Sequence, residues 1–300
     1  MKILIVGANG QLGKCLEPVV SETEGYEAVA LSRVELDITS VESVFVQTNS
    51  IQPDLIVNAA AYTAVDRAEN EIEAAYAVNS TGVKNLAEAC AQMAIPLIHV
   101  STDYVFDGNA KTPYLPEGST SPIGVYGKSK LEGERTAAAA LDELIIVRTA
   151  WVYSEYGNNF VKTMLRLAEE RNELSVVNDQ IGCPTYAGNI ALAILKICKA
   201  IREGKQSWGI YHYVDQPAMS WHEFAESVFG MALAKGLIEK SPSVAAISSS
   251  EYPTKAKRPA YSVLNTQRIQ QEFGIDPAPV NASLANVLTR ISETSGTTCQ

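Results

Sequence analysis

Histidine is scarce in this chain, and its cysteines form no motif. His99, His212 and His222 are scattered without ligand spacing, and Cys15, Cys90, Cys183, Cys198 and Cys299 are odd in number with no C-x-x-C among them. These absences argue against a zinc site and against a disulfide framework; reduced, mostly buried thiols are expected instead. Positive charge is also in deficit. Lys and Arg number 24 against 34 Asp and Glu, a net charge of -10, which disfavours nucleic acid or an anionic membrane surface as a general partner. The amino terminus offers one basic residue, Lys2, and an apolar run of only four, Ile3 to Val6. That run is too short for the core of a signal peptide and far too short to span a bilayer. A cytoplasmic protein is the expectation.

What is present is the composition of an ordinary soluble enzyme. A chain of 300 residues can bury a full core and exceeds the usual size of one domain. Strand and helix patterns alternate through roughly the first two hundred residues, as in a doubly wound parallel sheet. Ile3-Leu4-Ile5-Val6 is a continuous apolar run of the kind covered on both faces. It stops at Gly7-Ala8-Asn9-Gly10-Gln11-Leu12-Gly13, which opens a helix carrying Leu12, Leu16, Val19 and Val20. A strand, a glycine turn and a helix in that order make a phosphate cradle, because glycine lets backbone approach and free amides at the helix start face an anion.

Ala28 to Leu31 reads as the second strand and ends at Ser32-Arg33. At this point of a Rossmann unit an acid accepts the ribose hydroxyls of NAD, whereas an arginine accommodates the 2'-phosphate of NADP. Ser32-Arg33 therefore leans towards NADPH without excluding NADH. Asp37-Ile38 follows, either beside the adenine or merely opening the turn before a helix over 40–50. The third strand, 55–57, runs into small residues, Asn58-Ala59-Ala60-Ala61, that leave room for a flat cofactor. One long helix is expected over 71–93. Strands over 97–100 and 145–147 follow, and Ile210 to Tyr213 is expected to close the sheet. Residues 1–150, completed by 186–213, read as a dinucleotide-binding Rossmann domain. Residues 151–185 and 214–300 read as a smaller mixed α/β lobe for a nucleotide-sugar substrate.

Tyr126-Gly127-Lys128-Ser129-Lys130 carries the chemistry. It sets a phenol and an ammonium four residues apart, on one face of a helix. A neighbouring cation is expected to lower the phenol's pKa and make it a proton donor or acceptor. Ser101-Thr102-Asp103 adds hydroxyls and a carboxylate at the end of the fourth strand, over the same crevice.

Together with Gly7, Gly10 and Gly13 and the Asn58-Ala59-Ala60-Ala61 stretch, these motifs resemble the extended short-chain dehydrogenase/reductase superfamily. Within it, 61–66, 101–108, 148–153, 158–160, 178–180 and Arg258-Pro259 are similar, in order and over nearly the whole chain, to the dTDP-4-dehydrorhamnose reductase family. The resemblance implies NADPH- or NADH-dependent reduction of a 4-keto dTDP-sugar, the last step of dTDP-rhamnose biosynthesis. Tyr126 would donate the proton, Lys130 would hold the nicotinamide ribose, and Thr102 would bond the keto oxygen. Asn79 matches an asparagine of the superfamily's proton relay.

By the same resemblance Gly7, Asn9, Gly10, Gln11 and Leu12 would contact the pyrophosphate and Ser32, Arg33, Asp37 and Ile38 the adenosine side. Ala59, Ala60, Ala61, Tyr62 and Thr63 would meet the nicotinamide half. Asp103, Tyr104 and Trp151 would wall the sugar site, and Arg258 would take the substrate diphosphate. Some relatives are thought to use Mg²⁺, for which the sequence shows no acidic ligand set, and a homodimer is left open. Two other readings share the scaffold: a sister nucleotide-sugar reductase or epimerase, and a non-catalytic NADP-binding regulatory subunit like that of methionine adenosyltransferase.

Overall fold

Apolar runs with no polar side can be satisfied only between two layers, and that is where the strands lie. The computed structural model describes residues 1–296; Cys299 lies outside them. Five strands, β1 (Lys2–Val6), β2 (Glu27–Leu31), β3 (Leu55–Asn58), β4 (Leu97–Thr102) and β5 (Leu144–Thr149), belong to one parallel sheet. The chain then forms β6 (Val152–Tyr153), β7 (Glu173–Val177), β8 (Ile181–Gly182) and β9 (Thr185–Tyr186) before β10 (Gly209–His212) returns to pair with β5. The resulting order is β10-β5-β4-β3-β1-β2. β2 and β3 lie on opposite sides of β1, so a crevice opens at the carboxyl ends of β1 and β3, the switch point of such sheets. β11 (Met219–Ser220) pairs with β8, and β12 (Ser243–Ile247) runs parallel to β7.

The helices are α1 (Gln11–Ser21), α2 (Val41–Ile51), α3 (Val65–Ala68), α4 (Ile72–Tyr76), α5 (Gly82–Met93), α6 (Val125–Ala140), α7 (Phe160–Glu170), α8 (Ala187–Arg202), α9 (Trp221–Ala234), α10 (Gln267–Phe273) and α11 (Val280–Gly296). Alternation along β1 divides the core. Ile3 and Ile5 join Leu12 and Leu16 of α1 and Ile190 and Ile194 of α8, while Leu4 and Val6 join Val44 of α2, Leu86 and Cys90 of α5 and Ala137 of α6. Each fully buried aliphatic side chain of this kind contributes about 1.5–3 kcal/mol. The doubly wound parallel sheet is thus as expected, and so is the closing strand after residue 208.

The single helix expected over 71–93 is interrupted. α4 and α5 are joined by a π-helical turn, Ala77–Thr81, a widening of the ladder that concentrates at functional sites. Among the described residues the cysteines are buried and free, and burial pushes the thiols of Cys15, Cys90, Cys183 and Cys198 up to about 12. No helix among the described residues is long and apolar enough to cross a membrane.

Candidate active site

The turn after β1 is built on glycines because other backbone occupies the space around it. Gly7 sits at φ +92°, and a Cβ there would stand 2.7 Å from the Ala60 nitrogen; one on Gly13 would stand 2.3 Å from the Gly7 oxygen. The Gly7 and Ala8 amides both donate to the Leu31 carbonyl, at 2.9 and 3.0 Å, tying the turn to β2. No side chain caps α1 at Gly10, so the helix presents its first amides and the positive end of its dipole to the crevice. At the first position of α1, Gln11 Oε1 accepts from Ser154 Oγ at 3.0 Å and Asn159 Nδ2 at 2.9 Å. The segment after β5 is thereby clasped onto the turn.

Asn79, in the π-helical turn, holds the exit of β3. Its Oδ1 accepts from the Tyr62 amide at 2.8 Å, and its Nδ2 donates to the Tyr62 carbonyl at 3.1 Å and to Ser129 Oγ at 3.0 Å. Ser129 in turn donates to the Tyr126 carbonyl at 2.8 Å. One buried amide thus fastens the alanine stretch to the first turn of α6. α6 can come this close because a Cβ on Gly127 would lie 2.1 Å from the Tyr104 oxygen and one on Gly133 1.9 Å from the Asn79 oxygen.

Thr102 ends β4, and its hydroxyl donates to Asp103 Oδ1 at 2.9 Å while accepting from the Tyr104 amide at 3.2 Å. The Tyr104 ring meets the Tyr126 ring edge-on, 5.4 Å between centroids. One turn along α6, Lys130 is buried and its Nζ donates to the Val100 carbonyl at 2.7 Å. Burial sets the charge states. It draws the Lys130 ammonium down to about 8 and lifts the Asp103 carboxyl up to about 6. It also holds the Tyr126 hydroxyl well above the ordinary phenol value, a shift that Thr102 opposes and Asp103 and Tyr104 reinforce. The expected lowering of Tyr126 by Lys130 is therefore not found in this arrangement. Loss of solvent outweighs any benefit from the lysine, and Tyr126 is firmly protonated, as a proton donor must be.

Thr102, Asp103, Tyr104, Tyr126 and Lys130 face one cavity of about 760 Å³. Gly7, Asn9, Gly10, Gln11 and Leu12 line one end with Arg33, Asp37 and Ile38, and Ala59 to Thr63 line the middle. Thr102, Asp103, Tyr104, Tyr126, Lys130 and Trp151 close the other. Two expected residues stand apart. Ser32 is not in the lining, because its amide and hydroxyl both donate to Glu35, at 2.8 and 2.7 Å. Arg258 is not in the lining either: it is engaged by Asp66 at 2.5 Å and by the Tyr104 hydroxyl at 3.0 Å. Asp37 fits both of its readings, since it lines the cavity and also accepts from the Thr39 amide at 3.0 Å.

Trp151 adopts φ +48°, unusual for a bulky residue, and stacks on Trp221 with centroids 3.5 Å apart. Trp221 also lines the cavity but went unrecognised in the sequence, as did His99 and Ser154, while Asn159 was noted only within the 158–160 stretch and given no role. Their partners are distant along the chain, so no local motif marks them. A dinucleotide fits this donor set: there is a glycine cradle that a Cβ would fill, and the lining residues Ser101, Asp103 and Thr149 each hold a buried polar atom with no partner among the described residues. Among the described residues no group of three or more His, Cys, Asp and Glu is placed to hold a metal.

Comparison with known proteins agrees with the geometry. The family described as RmlD substrate binding domain matches residues 1–293. A dTDP-4-dehydrorhamnose reductase of Aggregatibacter actinomycetemcomitans is 48% identical over 287 residues, covering 95% of this chain and 98% of the relative. A dTDP-4-dehydrorhamnose reductase structure from Clostridium acetobutylicum superposes with a TM-score of 0.90 at 38% identity, covering 97% of this chain and 100% of that one. A Bacillus anthracis dTDP-4-dehydrorhamnose reductase in complex with NADP superposes at 0.89 with 36% identity, covering 96% and 99%.

Proposed function

This chain belongs to the RmlD substrate binding domain family, and on that premise we propose that it reduces the 4-keto group of dTDP-4-dehydro-L-rhamnose to dTDP-L-rhamnose, with NADPH or NADH as reductant. The observation that carries the reading is the convergence of Tyr126, Lys130 and Thr102 on the cavity that begins at the glycine turn. When bound, the nicotinamide supplies the hydride for the carbonyl carbon. Tyr126 gives its proton to the carbonyl oxygen, a general-acid step worth typically about 10²- to 10⁴-fold. Thr102 turns its hydroxyl from Asp103 Oδ1 to bond that oxygen, and Lys130 holds the nicotinamide ribose. The uncapped start of α1, with Gly10, Gln11 and Leu12, takes the pyrophosphate.

Arg33 lines the adenosine end, which supports NADPH, because a guanidinium matches a phosphate with paired hydrogen bonds. Asp103, Tyr104 and Trp151 orient the sugar. Residues 1–150 with 186–213 form the cofactor half in this reading, and 151–185 with 214–300 the sugar half, which sends Trp151, Asn158 and Trp221 into the same cavity. The free, buried thiols support a cytoplasmic site for the step.

The test is direct. Purified protein mixed with enzymatically made dTDP-4-dehydro-L-rhamnose and NADPH should oxidise the cofactor in step with dTDP-L-rhamnose formation. An unchanged cofactor absorbance, or a product of different stereochemistry at C4, would reject this substrate.

A further inference from the structure

Behind Lys130 lies a chain of buried groups for which the reduction itself has no need. Asn58 ends β3 and pairs with His99 across the β3–β4 ladder, and both are fully buried. The Ala60 amide donates to Asn58 Oδ1 at 3.0 Å, which fixes the carboxamide and turns its Nδ2 donor to His99 Nδ1 at 3.1 Å. Nδ1 must then be the acceptor, so a neutral ring carries its proton on Nε2. Burial first, and then the Lys130 charge, hold His99 well below the ordinary histidine value, so the ring is neutral. Its Nε2 lies 3.4 Å from Lys130 Nζ. An N–H aimed at an ammonium repels it, whereas the same N–H aimed at an amine meets a lone pair.

From this geometry we propose that His99 is a positioning residue: with its proton fixed on Nε2 by Asn58, it holds the Lys130 nitrogen at the floor of the cavity and favours the neutral amine there. The proposal rests on the reading above, in which Lys130 serves the reduction, but its geometry is independent of which sugar is reduced. The ionisable groups around Lys130 leave it lowered all the same. Glu134 on the same helix would favour the ammonium, yet it is met from β5 by the paired nitrogens of Arg148, at 2.9 and 2.6 Å. Asp103 and Tyr104, from the turn after β4, and Tyr126 on α6 share the cavity with Lys130. Both phenols are raised by burial, which keeps them neutral, and Asp103, raised to about 6 and so ionised where Lys130 titrates, is the one group that works against the effect, its Oδ1 being already bonded by the Thr102 hydroxyl. Lys130 therefore loses its proton far closer to neutrality than a solvated lysine does.

Nuclear magnetic resonance on the full chain, labelled with ¹⁵N-histidine and ¹³C-lysine, decides the matter. The His99 signals, assigned by their loss in His99→Gln, should report a neutral ring protonated on Nε2 from about pH 5 to about pH 9. Lys130, assigned through Lys130→Met, should titrate well below a solvated lysine. In His99→Phe it should move upward by about one unit, a tenfold change in ionisation, and the basic limb of kcat/KM for NADPH-dependent reduction should move with it. A proton on Nδ1, a charged imidazolium, or a Lys130 titration unmoved by His99→Phe would overturn the proposal. If His99→Phe does not fold, the tautomer in the unaltered chain still decides. Absence of turnover on dTDP-4-dehydro-L-rhamnose with the predicted resonances intact would reject the substrate and leave the role of His99 standing.

Discussion

At the scale of single residues, Tyr126 is half-buried at the cavity wall yet holds its proton more tightly than an ordinary phenol. Its raised proton affinity keeps the proton in place until a more basic alkoxide develops beside it, and removing the hydroxyl removes that step alone. Tyr126→Phe should lower kcat by about 10²- to 10⁴-fold while NADPH binding, followed by titration calorimetry, stays within a few-fold of the parent. A fully active variant would mean that the proton comes from elsewhere. The glycine turn makes the opposite kind of prediction. Gly13→Ala would bring a methyl group to 2.3 Å from the Gly7 oxygen, so the turn must shift, at a cost of about 1–3 kcal/mol for overpacking. Both the thermal midpoint and NADPH affinity should drop together, because the same backbone serves fold and ligand.

At the scale of elements, the π-helical turn shows what the sequence could and could not disclose. The sheet strands were legible because continuous apolar runs are read one residue at a time, and the glycine turn because it follows a strand and opens a helix. Both signals are local. Residues 71–93 kept a helical pattern throughout, so nothing announced that Asn79 would stand where the ladder widens and bond to Tyr62 and Ser129. The Gln11 clasp to Asn159 spans 148 residues and has no local trace. Neither do the Trp151–Trp221 stack and the Asn58–His99 pair, since each depends on elements that meet only after folding. Asn79→Ala leaves the Tyr62 amide and carbonyl and the Ser129 hydroxyl short of a partner. A loss of about 1–3 kcal/mol is expected in urea unfolding, with KM for the cofactor rising because the alanine stretch is no longer tied to α6.

At the scale of the whole molecule, buried charge and buried histidine govern stability. Arg148 and Glu134 are both almost fully buried and join β5 to α6, with a further bond from Arg148 to the Pro116 carbonyl at 3.1 Å. Arg148→Met strands a carboxylate and should cost about 3–5 kcal/mol, whereas Arg148→Met combined with Glu134→Leu should recover most of that loss. Acid acts through the rings. His212, lowered to about 3 chiefly by burial, and His99, lowered well below the ordinary value, bind a proton more readily in the unfolded chain. Their contribution is complete above about pH 6.5 and is lost as pH falls towards about 3, each by at most about 1.4 kcal/mol per unit. Asp103, raised to about 6, opposes them between about pH 6 and pH 4, where the fold holds its proton and the unfolded chain does not. Asp215, also raised by burial, opposes them too, but Asp37, Asp107 and Asp179, lowered by the hydrogen bonds they accept, side with the rings, so the urea midpoint should fall between pH 7 and pH 4; a flat or rising profile would contradict the neutral, buried state of the rings.

Two of the three tryptophans, Trp151 and Trp221, lie face to face at the cavity wall, while Trp208 is placed elsewhere, beside Gly209 and Arg135. The molecule consequently carries its own optical gauge. Anything that enters the cavity changes the surroundings of a coupled pair of fluorophores and leaves the third as an internal standard, so occupancy can be followed by emission alone, without labelling and without turnover.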